Sequence, residues 1–375
     1  MTEVNYERYD KCRFVEGAYG RRQADAALLM EDAFTGSERA KNKFFEALGT
    51  SDTPALLAPA LNRKIIDVYG SYEKIWPTFA SKEVVDDFRL QEINKYTHNQ
   101  DGIAATNAGQ TFIPGTLPRI PEQGQYPVLG VSASGISFRV AKSGEQFQLS
   151  WERLVQDRSL GELERALKIF GLHAAQTEDV EATRQFMEGG IAVRLPSANR
   201  FTANPVLNAA NLEAAYKLAV AQKLDGRPVN PRGGFNLLVP AEMELTAQGI
   251  LNKYEYRNGS DPVLIGPNPL AGKLTIVANE WFSVIDATHG ATSWALAPKP
   301  GAMGEDQGVA VGFLRGNEAP ELSIKSSDRF GPNGERIPGT SGDFDNDSFA
   351  TRVRATATGI TKGFAGWTGS SGAGS

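Results

Sequence analysis

The sequence predicts an α+β fold, and three patterns along the chain indicate it. Phe138, Val140, Phe147 and Leu149 alternate with polar residues, as in a half-buried strand. A long helical repeat follows this strand, and residues 190–315 then alternate between helical and strand-like segments. We therefore expect a strand that leads into a long helix, followed by a compact second lobe.

The long helix is predicted from a change of period after Asp157. Asp157 or Ser159 offers an oxygen that caps its first turn. The pattern continues to Gly189, so the helix has some thirty residues and a length of about 45 Å. Its apolar residues recur at steps of three and four: Leu160, Leu163, Leu167, Phe170 and Ala174.

Helices are also predicted before the first strand. The stretch "DTPALLAPALNRKIIDVYG" has Pro54 in its first turn and Gly70 past its end, which is typical of a helix. Two shorter helices are predicted around 21–33 and 37–48, within an N-terminal arm.

A long polar segment separates two strand patterns. Residues 99–135 are rich in Gly, Pro, Asn and Gln, and they lie between strands predicted at roughly 82–96 and 136–149. A loop this long is unusual inside a compact domain. Two strands joined in this way form a projecting ribbon, which is marginally stable alone in water. We expect the ribbon to lie on another surface, such as a second copy of the chain.

The second lobe is predicted from short periodic segments. Helices are expected at "NAANLEAAYKLAVAQKL" and "AEMELTAQGILNKY". Strands are expected at "FNLLVP", "KLTIVAN", "WFSVID" and "TSWALAPK", then at "GVAVGFLRG", "PELSIKSS" and "SFATRVRATATGITKGF". The final "GWTGSSGAGS" is typical of a flexible tail because it consists mostly of Gly and Ser.

Composition excludes several classes of protein. The 39 basic and 44 acidic residues give a net charge of −5, which argues against a dedicated nucleic-acid binder. Cys12 is the only cysteine, so no intrachain disulfide can form, and synthesis in the cytosol is expected. No apolar run is long enough to span a bilayer, and "MTEVNYERYDKCRF" lacks the apolar core of a signal peptide.

Motifs for catalysis, cofactors or metals are not found, and no such site is predicted. His98, His173 and His289 have no ligand spacing, so structural or solvated roles are expected. Asp86 and Asp87 are predicted to be neighbours on a strand, where they would point to opposite faces.

Two Gly- and Asp-rich stretches resemble ligand loops only in part. "GPNPLAGKLT" lacks the spacing of a phosphate loop, and its prolines remove backbone donors. "DFDNDS" begins like a calcium loop, but Ser348 and Arg354 stand where Gly and Glu are required. A solvated turn is the favoured interpretation of the second stretch.

Six stretches, in order along the chain, resemble consecutive parts of one protein family. They are "ALNRKIIDVYGSYEKIWPTFASKEVVDDF", "LPRIPEQGQYP", "EQFQLSWERLVQD", "NLLVPAEMELTAQGIL", "NPLAGKLTIVAN" and "VGFLRGNEAPEL". The family is that of the major capsid proteins of tailed bacteriophages, with the Hong Kong ninety-seven phage fold, and the resemblance is to its Mu-like prophage head-subunit branch.

The resemblance implies a phage major capsid fold with an N-terminal arm, an extended two-stranded loop, a peripheral domain with a long spine helix and an axial α+β domain. The implied boundaries are 1–70 for the arm, 71–98 and 150–195 for the peripheral domain, 99–149 for the extended loop, 196–312 for the axial domain, 313–362 for return strands and 363–375 for a flexible tail.

The implied function is that of a capsid subunit, synthesised in the bacterial cytoplasm, that assembles into pentamers and hexamers of an icosahedral shell. The shell would enclose double-stranded DNA without reading its sequence. Portal, scaffold or protease, and decoration proteins are the other expected partners; no cofactor and no membrane are expected. Arg119, Glu122, Tyr126 and Arg139 are the candidate inter-subunit contacts. Lys142 lies on the strand rather than at the loop tip, so no covalent cross-link is expected.

Two other functions remain open from the sequence. An encapsulin-like nanocompartment would keep the fold and enclose protein cargo instead of a genome. A two-domain enzyme with an unrecognised site would form a small soluble oligomer with a polar pocket.

Overall fold

The structure is a computed structural model that describes most of the chain after the N-terminal arm. The described residues are 53–98, 129–150, 161–201, 203–224, 227–229, 233–252, 256–257, 265–266, 270–302, 307–325 and 344–374, together with the short positions 117, 120, 122–123, 126, 152–153, 268, 330 and 332–333. The helices predicted around 21–33 and 37–48 lie outside these residues.

Helices and strands are mixed along the described chain. The helices are α1 (Thr53–Ser71), α2 (Gly161–Met187), α3 (Ile191–Arg194), α4 (Ala209–Ala221), α5 (Glu244–Leu251) and α6 (Trp281–Ile285). The strands are β1 (Ala80–Val85), β2 (Gln91–His98), β3 (Leu129–Phe138), β4 (Lys142–Ser150), β5 (Lys223–Leu224), β6 (Arg227–Pro228), β7 (Phe235–Pro240), β8 (Tyr256–Arg257), β9 (Ile265–Gly266), β10 (Leu274–Asn279), β11 (Trp294–Pro298), β12 (Gly308–Leu314), β13 (Glu321–Ile324), β14 (Ser348–Thr356), β15 (Thr358–Gly363) and β16 (Thr368–Ser370).

The first of two compact units is built on an antiparallel sheet in the order β13-β14-β4. It comprises Met1–Glu73, Ala141–Thr177 and Leu314–Ala357. α1 packs on β13, where the Asn62 side chain accepts a hydrogen bond of 2.9 Å from the Leu322 amide. Gly171 lets α1 and α2 approach closely, since a Cβ there would lie 2.7 Å from the Ile65 carbonyl oxygen.

The second unit is built on a four-stranded sheet in the order β10-β7-β11-β16. It comprises Lys74–Val140, Glu178–Phe313 and Thr358–Ser375. Every residue of β7 is buried, which is typical of a run that is apolar except for Asn236. α4 and α5 cover this sheet with an apolar cluster that includes Leu212, Ala247 and Trp294. A second sheet of this unit has the order β1-β12-β15.

The predicted long helix is confirmed as α2, which has 27 residues. Leu163, Leu167, Phe170 and Ala174 are all buried, so the apolar repeat does form one face. Leu160 and the predicted capping residues lie outside the described part of the chain. The helix ends before Gly189 and Gly190, whose φ angles of 75° and 97° favour glycine.

The two strands predicted on either side of the long loop are both interrupted, and this part of the prediction was wrong. The strand expected at 136–149 is divided between β3 and β4, and β4 pairs with β14 rather than with the first strand. The strand expected at 82–96 is interrupted by a bend at 86–89, so Asp86 and Asp87 are not on a strand. The ribbon itself is confirmed as the antiparallel pair of β2 and β3.

The strand predicted at "WFSVID" is instead α6. Phe282 is fully buried whereas Val284 is 68% exposed, although a strand would place both on one face. The Asn279 side chain accepts a hydrogen bond from the Trp281 amide at 2.9 Å, which starts the helical turn.

The flexible tail predicted at 363–375 is also wrong, because residues 368–370 form the buried strand β16 beside β11. Glycines there allow close packing rather than flexibility. A Cβ on Gly369 would lie 2.6 Å from Ile191 Cδ1, and one on Gly372 would lie 2.1 Å from the Thr292 carbonyl oxygen.

Candidate assembly surfaces

The β2–β3 ribbon is the described part of the predicted extended loop. Its strands pair from Gln91 opposite Phe138 to His98 opposite Leu129, with a shift of register between Ile93 and Lys95. Such a shift increases the local twist of a strand pair. Within the described residues the ribbon is a sheet of two strands, so a neighbouring surface would add to its stability.

A bend held by side chains forms the base of this ribbon. One carboxylate oxygen of Asp87 accepts hydrogen bonds from the Arg89 amide at 3.0 Å and from Gln91 Nε2 at 2.7 Å. Arg139, from the other strand, donates its Nε to the Phe88 carbonyl oxygen at 2.9 Å. The bend therefore fixes the angle at which β2 leaves β1.

Exposed apolar side chains surround the bend and continue into the loop. Phe88 and Leu90 are 40% and 61% exposed, and Leu117 and Tyr126 are 90% and 82% exposed. Phe88 and Leu90 lie at the bend, and Leu117 and Tyr126 lie within the predicted loop, so each of these side chains offers apolar surface to a partner. We call these four residues the ribbon apolar set. Their exposed side chains favour the docking of a partner.

The predicted inter-subunit contacts fall at different places on this element. Glu122 is exposed in a turn beside Gln123, whose φ is 61°, and Tyr126 belongs to the ribbon apolar set. Arg139 is exposed but also holds the bend of its own chain. Arg119 lies outside the described residues. The contact role of all four residues stays a prediction.

Two buried carboxylates attach the segment before β1 to the second half of α2. Asp179 Oδ1 accepts hydrogen bonds from the amides of Ile75 and Trp76 at 2.9 and 2.8 Å. Glu178 accepts one from Trp76 Nε1 at 2.8 Å and lies 2.8 Å from Lys74 Nζ. Burial lowers the pKa of Lys74 from its ordinary value, and the attraction of Glu178 only partly offsets this.

Sequence reasoning missed these carboxylates, although the pattern contained a signal for them. Glu178 is four residues after the buried Ala174, so the apolar face of α2 continues through it. A charged residue at such a position is buried and therefore needs a partner. The partners come from the chain more than a hundred residues earlier, which periodicity alone does not show.

Two amide side chains hold the segment that leads into β16. Asn199 Nδ2 and Gln222 Nε2 donate hydrogen bonds to the Trp367 carbonyl oxygen at 2.9 and 2.8 Å. Gln222 Oε1 accepts one from the Gly366 amide at 2.7 Å. The Trp367 ring is buried against Phe186, with ring centroids 5.2 Å apart. This segment is therefore part of the core of the second unit.

The described residues contain no cluster of metal ligands and no helix that could span a membrane. Within that part of the chain, no three His, Cys, Asp or Glu side chains gather as metal ligands. None of its helices combines the length and apolarity needed to traverse a bilayer. His173 is placed on α2, where its Nδ1 lies 2.9 and 3.0 Å from the two oxygens of Glu145.

Comparison with known protein families identifies the family of this chain. The family described as "Phage capsid protein" matches residues 134–369, which include β4, α2 and all but the last residue of the four-stranded sheet. The chain belongs to this phage capsid family. No curated protein matches the chain significantly.

Solved structures similar to this capsid protein include shells of phages and of an encapsulin. The capsid of cyanophage Pam1 has a TM-score of 0.45 at 13% identity, over 78% of this chain and 89% of that one. A chain of Mycobacterium phage Patience has a TM-score of 0.40 at 11% identity, over 89% and 87%. The SrpI encapsulin of Synechococcus elongatus has a TM-score of 0.41 at 8% identity, over 77% and 84%.

Membership of the capsid family fixes the general function. This capsid protein is a structural subunit of a virion, and its family implies a shell of many identical copies. The mixed α/β architecture and the ribbon agree with the fold expected from the sequence. The Mu-like branch and the domain boundaries stay predictions.

Proposed function

We propose that the chain is the major capsid protein of a tailed phage, and that it assembles through rings of five and six copies into an icosahedral shell around double-stranded DNA. The family match over residues 134–369 carries this proposal. Rings close when one surface of a copy contacts a different surface of the next. The base of the ribbon and the predicted loop provide one such surface, since the residues of the ribbon apolar set are exposed there.

The charge of the chain is consistent with a wall around DNA. A net charge of −5 gives no general attraction for phosphates, so the shell confines DNA without gripping it. Portal, scaffold or protease, and decoration proteins are the further partners in this proposal, with synthesis in the bacterial cytoplasm. The chain acts as a structural subunit and performs no catalysis.

Expression of the chain in bacteria, followed by sedimentation and electron microscopy, tests the shell. We expect closed particles of uniform size. A small oligomer that never forms particles would contradict the proposal and support the enzyme alternative. Nucleic acid in particles purified from infected cells supports a phage head, whereas an enclosed protein would support the encapsulin-like alternative.

A substitution at Tyr126 tests the ribbon surface. Because its ring is 82% exposed, Tyr126→Ala should leave the stability of the free subunit within about 0.5 kcal/mol of the parent. We expect it to reduce particle yield several-fold by removing ring contacts with the next copy. Tyr126→Phe is the matched control and should assemble normally. Equal yields for Tyr126→Ala and the parent would show that this ring makes no contact of consequence.

A further inference from the structure

The three-stranded sheet of the first unit has one covered face and one exposed face. Residues that lie directly opposite each other in an antiparallel pair share a face. Thr351 and Val353 of β14 are buried, with Leu322 of β13 opposite Val353. Ala355 continues this covered face and packs on the apolar cluster that includes Ala174 of α2. The alternate residues of β14 therefore point away from α2.

The exposed face carries mainly positive charge. Arg352 and Arg354 of β14 are both exposed on it, and Lys142 is exposed on the neighbouring strand β4, opposite Thr356. Lys325 follows β13 in the same alternation, and its amide donates a hydrogen bond of 2.9 Å to the Ala350 carbonyl oxygen. We call these four cations the cationic sheet face: Lys142, Lys325, Arg352 and Arg354.

Acidic side chains do not neutralise this face. Among the described strands of the sheet, Glu321 is its only acidic residue, and it lies opposite Arg354, whose Nη2 donates a hydrogen bond to its carboxylate at 2.7 Å. Glu145 is on the covered face, where its carboxylate contacts α2. Within the described part of the chain, neither Arg352 nor Lys142 has an acidic partner.

The positive charge is concentrated in one half of the sheet. Asp345 and Asp347 lie in the turn before β14, at one end of the sheet. Arg352, Arg354 and Lys142 lie towards the opposite end. A polyanion would therefore be attracted to that half of the face.

The neutral side chains of this face favour phosphate groups as the partner. Gln146, Gln148 and Ser323 share the face, and side chains of this kind contact DNA phosphates beside Arg and Lys. The described strands place no large apolar side chain on it, whereas the centre of a protein–protein interface is usually apolar and aromatic. A sugar–phosphate backbone therefore matches this face better than the surface of a folded protein.

We propose that the cationic sheet face contacts the phosphate backbone of the enclosed double-stranded DNA, and that it therefore faces the interior of the shell. This inference rests on the proposed function and adds a contact surface to it. The net charge of −5 belongs to the whole chain, so the attraction is confined to this face. With about three or four phosphates neutralised per copy, the contact is weak and independent of sequence, and the DNA is confined without being fixed in place.

Fluorescence anisotropy with a labelled DNA duplex tests the contact on unassembled subunits. We expect the logarithm of the association constant to fall with the logarithm of the salt concentration, with a slope of about −3. Arg352→Gln removes one phosphate contact, so it should weaken binding several-fold at low salt and reduce the magnitude of the slope by about 0.9. Arg352→Lys retains the charge and should bind like the parent.

Lys168→Gln is the matched control. It also removes one positive charge from the first unit, but Lys168 is on α2, at the covered side of the sheet, and its side chain is 53% exposed. This variant should leave the salt slope unchanged. Because Arg352 and Lys168 are both exposed, neither substitution should prevent folding.

Intact particles test which side of the shell carries the face. We expect closed particles to bind added duplex about tenfold or more weakly than free subunits, because added DNA cannot reach the interior. Equal binding by closed particles and free subunits would overturn the inference, since the face would then be outside.

Three other results would also overturn it while leaving the shell intact. They are undetectable binding of duplex by parent subunits, equal salt slopes for Arg352→Gln and Lys168→Gln, and tighter binding of poly-glutamate than of duplex, which would assign the face to an acidic protein. If the parent forms no particles at all, the proposed function fails and the inference fails with it.

Discussion

Trp367 provides a sharp test of the core of the second unit, because the sequence predicts a flexible tail where the structure places this ring. The ring is 1% exposed and packs on Phe186 and Phe364 with centroids 5.2 and 5.7 Å away. A buried aromatic side chain of this kind removes some 150–250 Å² from water. Truncation to Ala also leaves a cavity, so we expect Trp367→Ala to lower the free energy of unfolding by about 3–5 kcal/mol.

Urea unfolding of unassembled subunits, followed by far-ultraviolet circular dichroism, measures this loss. Trp367→Phe retains an aromatic ring and should lose clearly less than Trp367→Ala. Tyr126→Ala removes an exposed ring and should change stability by no more than about 0.5 kcal/mol. A free energy for Trp367→Ala within about 1 kcal/mol of the parent would show that this segment is not part of the core, as a flexible tail would require.

Substitutions at three sites, each with a control, test the packing of α2 against the segments that contact it. Asp179→Ala removes the acceptor of the Ile75 and Trp76 amides, so the free energy of unfolding in urea should fall by about 3 kcal/mol. Asp179→Asn retains an acceptor oxygen and should lose less. Negligible losses for both variants would refute the role of this carboxylate. Burial lowers the pKa of Lys74, so the folded state binds fewer protons than the unfolded state between that lowered pKa and 10.5, and stability gains as pH rises through this window. Lys74→Met should abolish that gain, and parallel stability curves for the two proteins as pH rises towards 10.5 would contradict it. Gly171→Ala should destabilise the first unit by about 1–3 kcal/mol, because the added Cβ would clash with α1. The added Cβ of Gly70→Ala meets open space, so this variant should be neutral or stabilising. A higher melting temperature for Gly171→Ala than for Gly70→Ala would show that α1 and α2 are not so close.

Local patterns were sufficient to predict the elements whose burial follows a simple period. The face of α2 could be predicted from Leu163 to Ala174, and β7 from a run that is apolar except for Asn236, because apolar residues fill most of the buried positions in both. The resemblance to capsid proteins was likewise carried by short stretches in a fixed order, and the family match confirms it.

Elements whose form depends on distant partners could not be predicted in the same way. The run that forms α6 is short, and alternation cannot separate a strand from a helical turn at that length. The last glycines suggest a linker by composition, but contacts such as that of Gly369 with Ile191 make small residues necessary there. The Gly- and Ser-rich segment is ordered by Asn199 and Gln222, which precede it by more than 140 residues.

The sequence predicted the candidate assembly surfaces in outline, but not the side-chain contacts that hold them in place. A ribbon next to a long polar loop followed from the sequence between residues 82 and 149. The bend that orients the ribbon depends on local contacts of Asp87 and on a hydrogen bond from Arg139 to Phe88. The second contact spans 51 residues and therefore leaves no periodic pattern in the sequence.

A density map of assembled particles, obtained by cryogenic electron microscopy, tests the central claim most directly. We expect closed shells in which the ribbon of each copy lies on the next copy. Phe88, Leu90 and Tyr126 of the first copy should then be buried in the contact. Particles in which every ribbon packs only on its own chain, or a preparation that contains only small soluble oligomers, would contradict the assignment of this element to assembly.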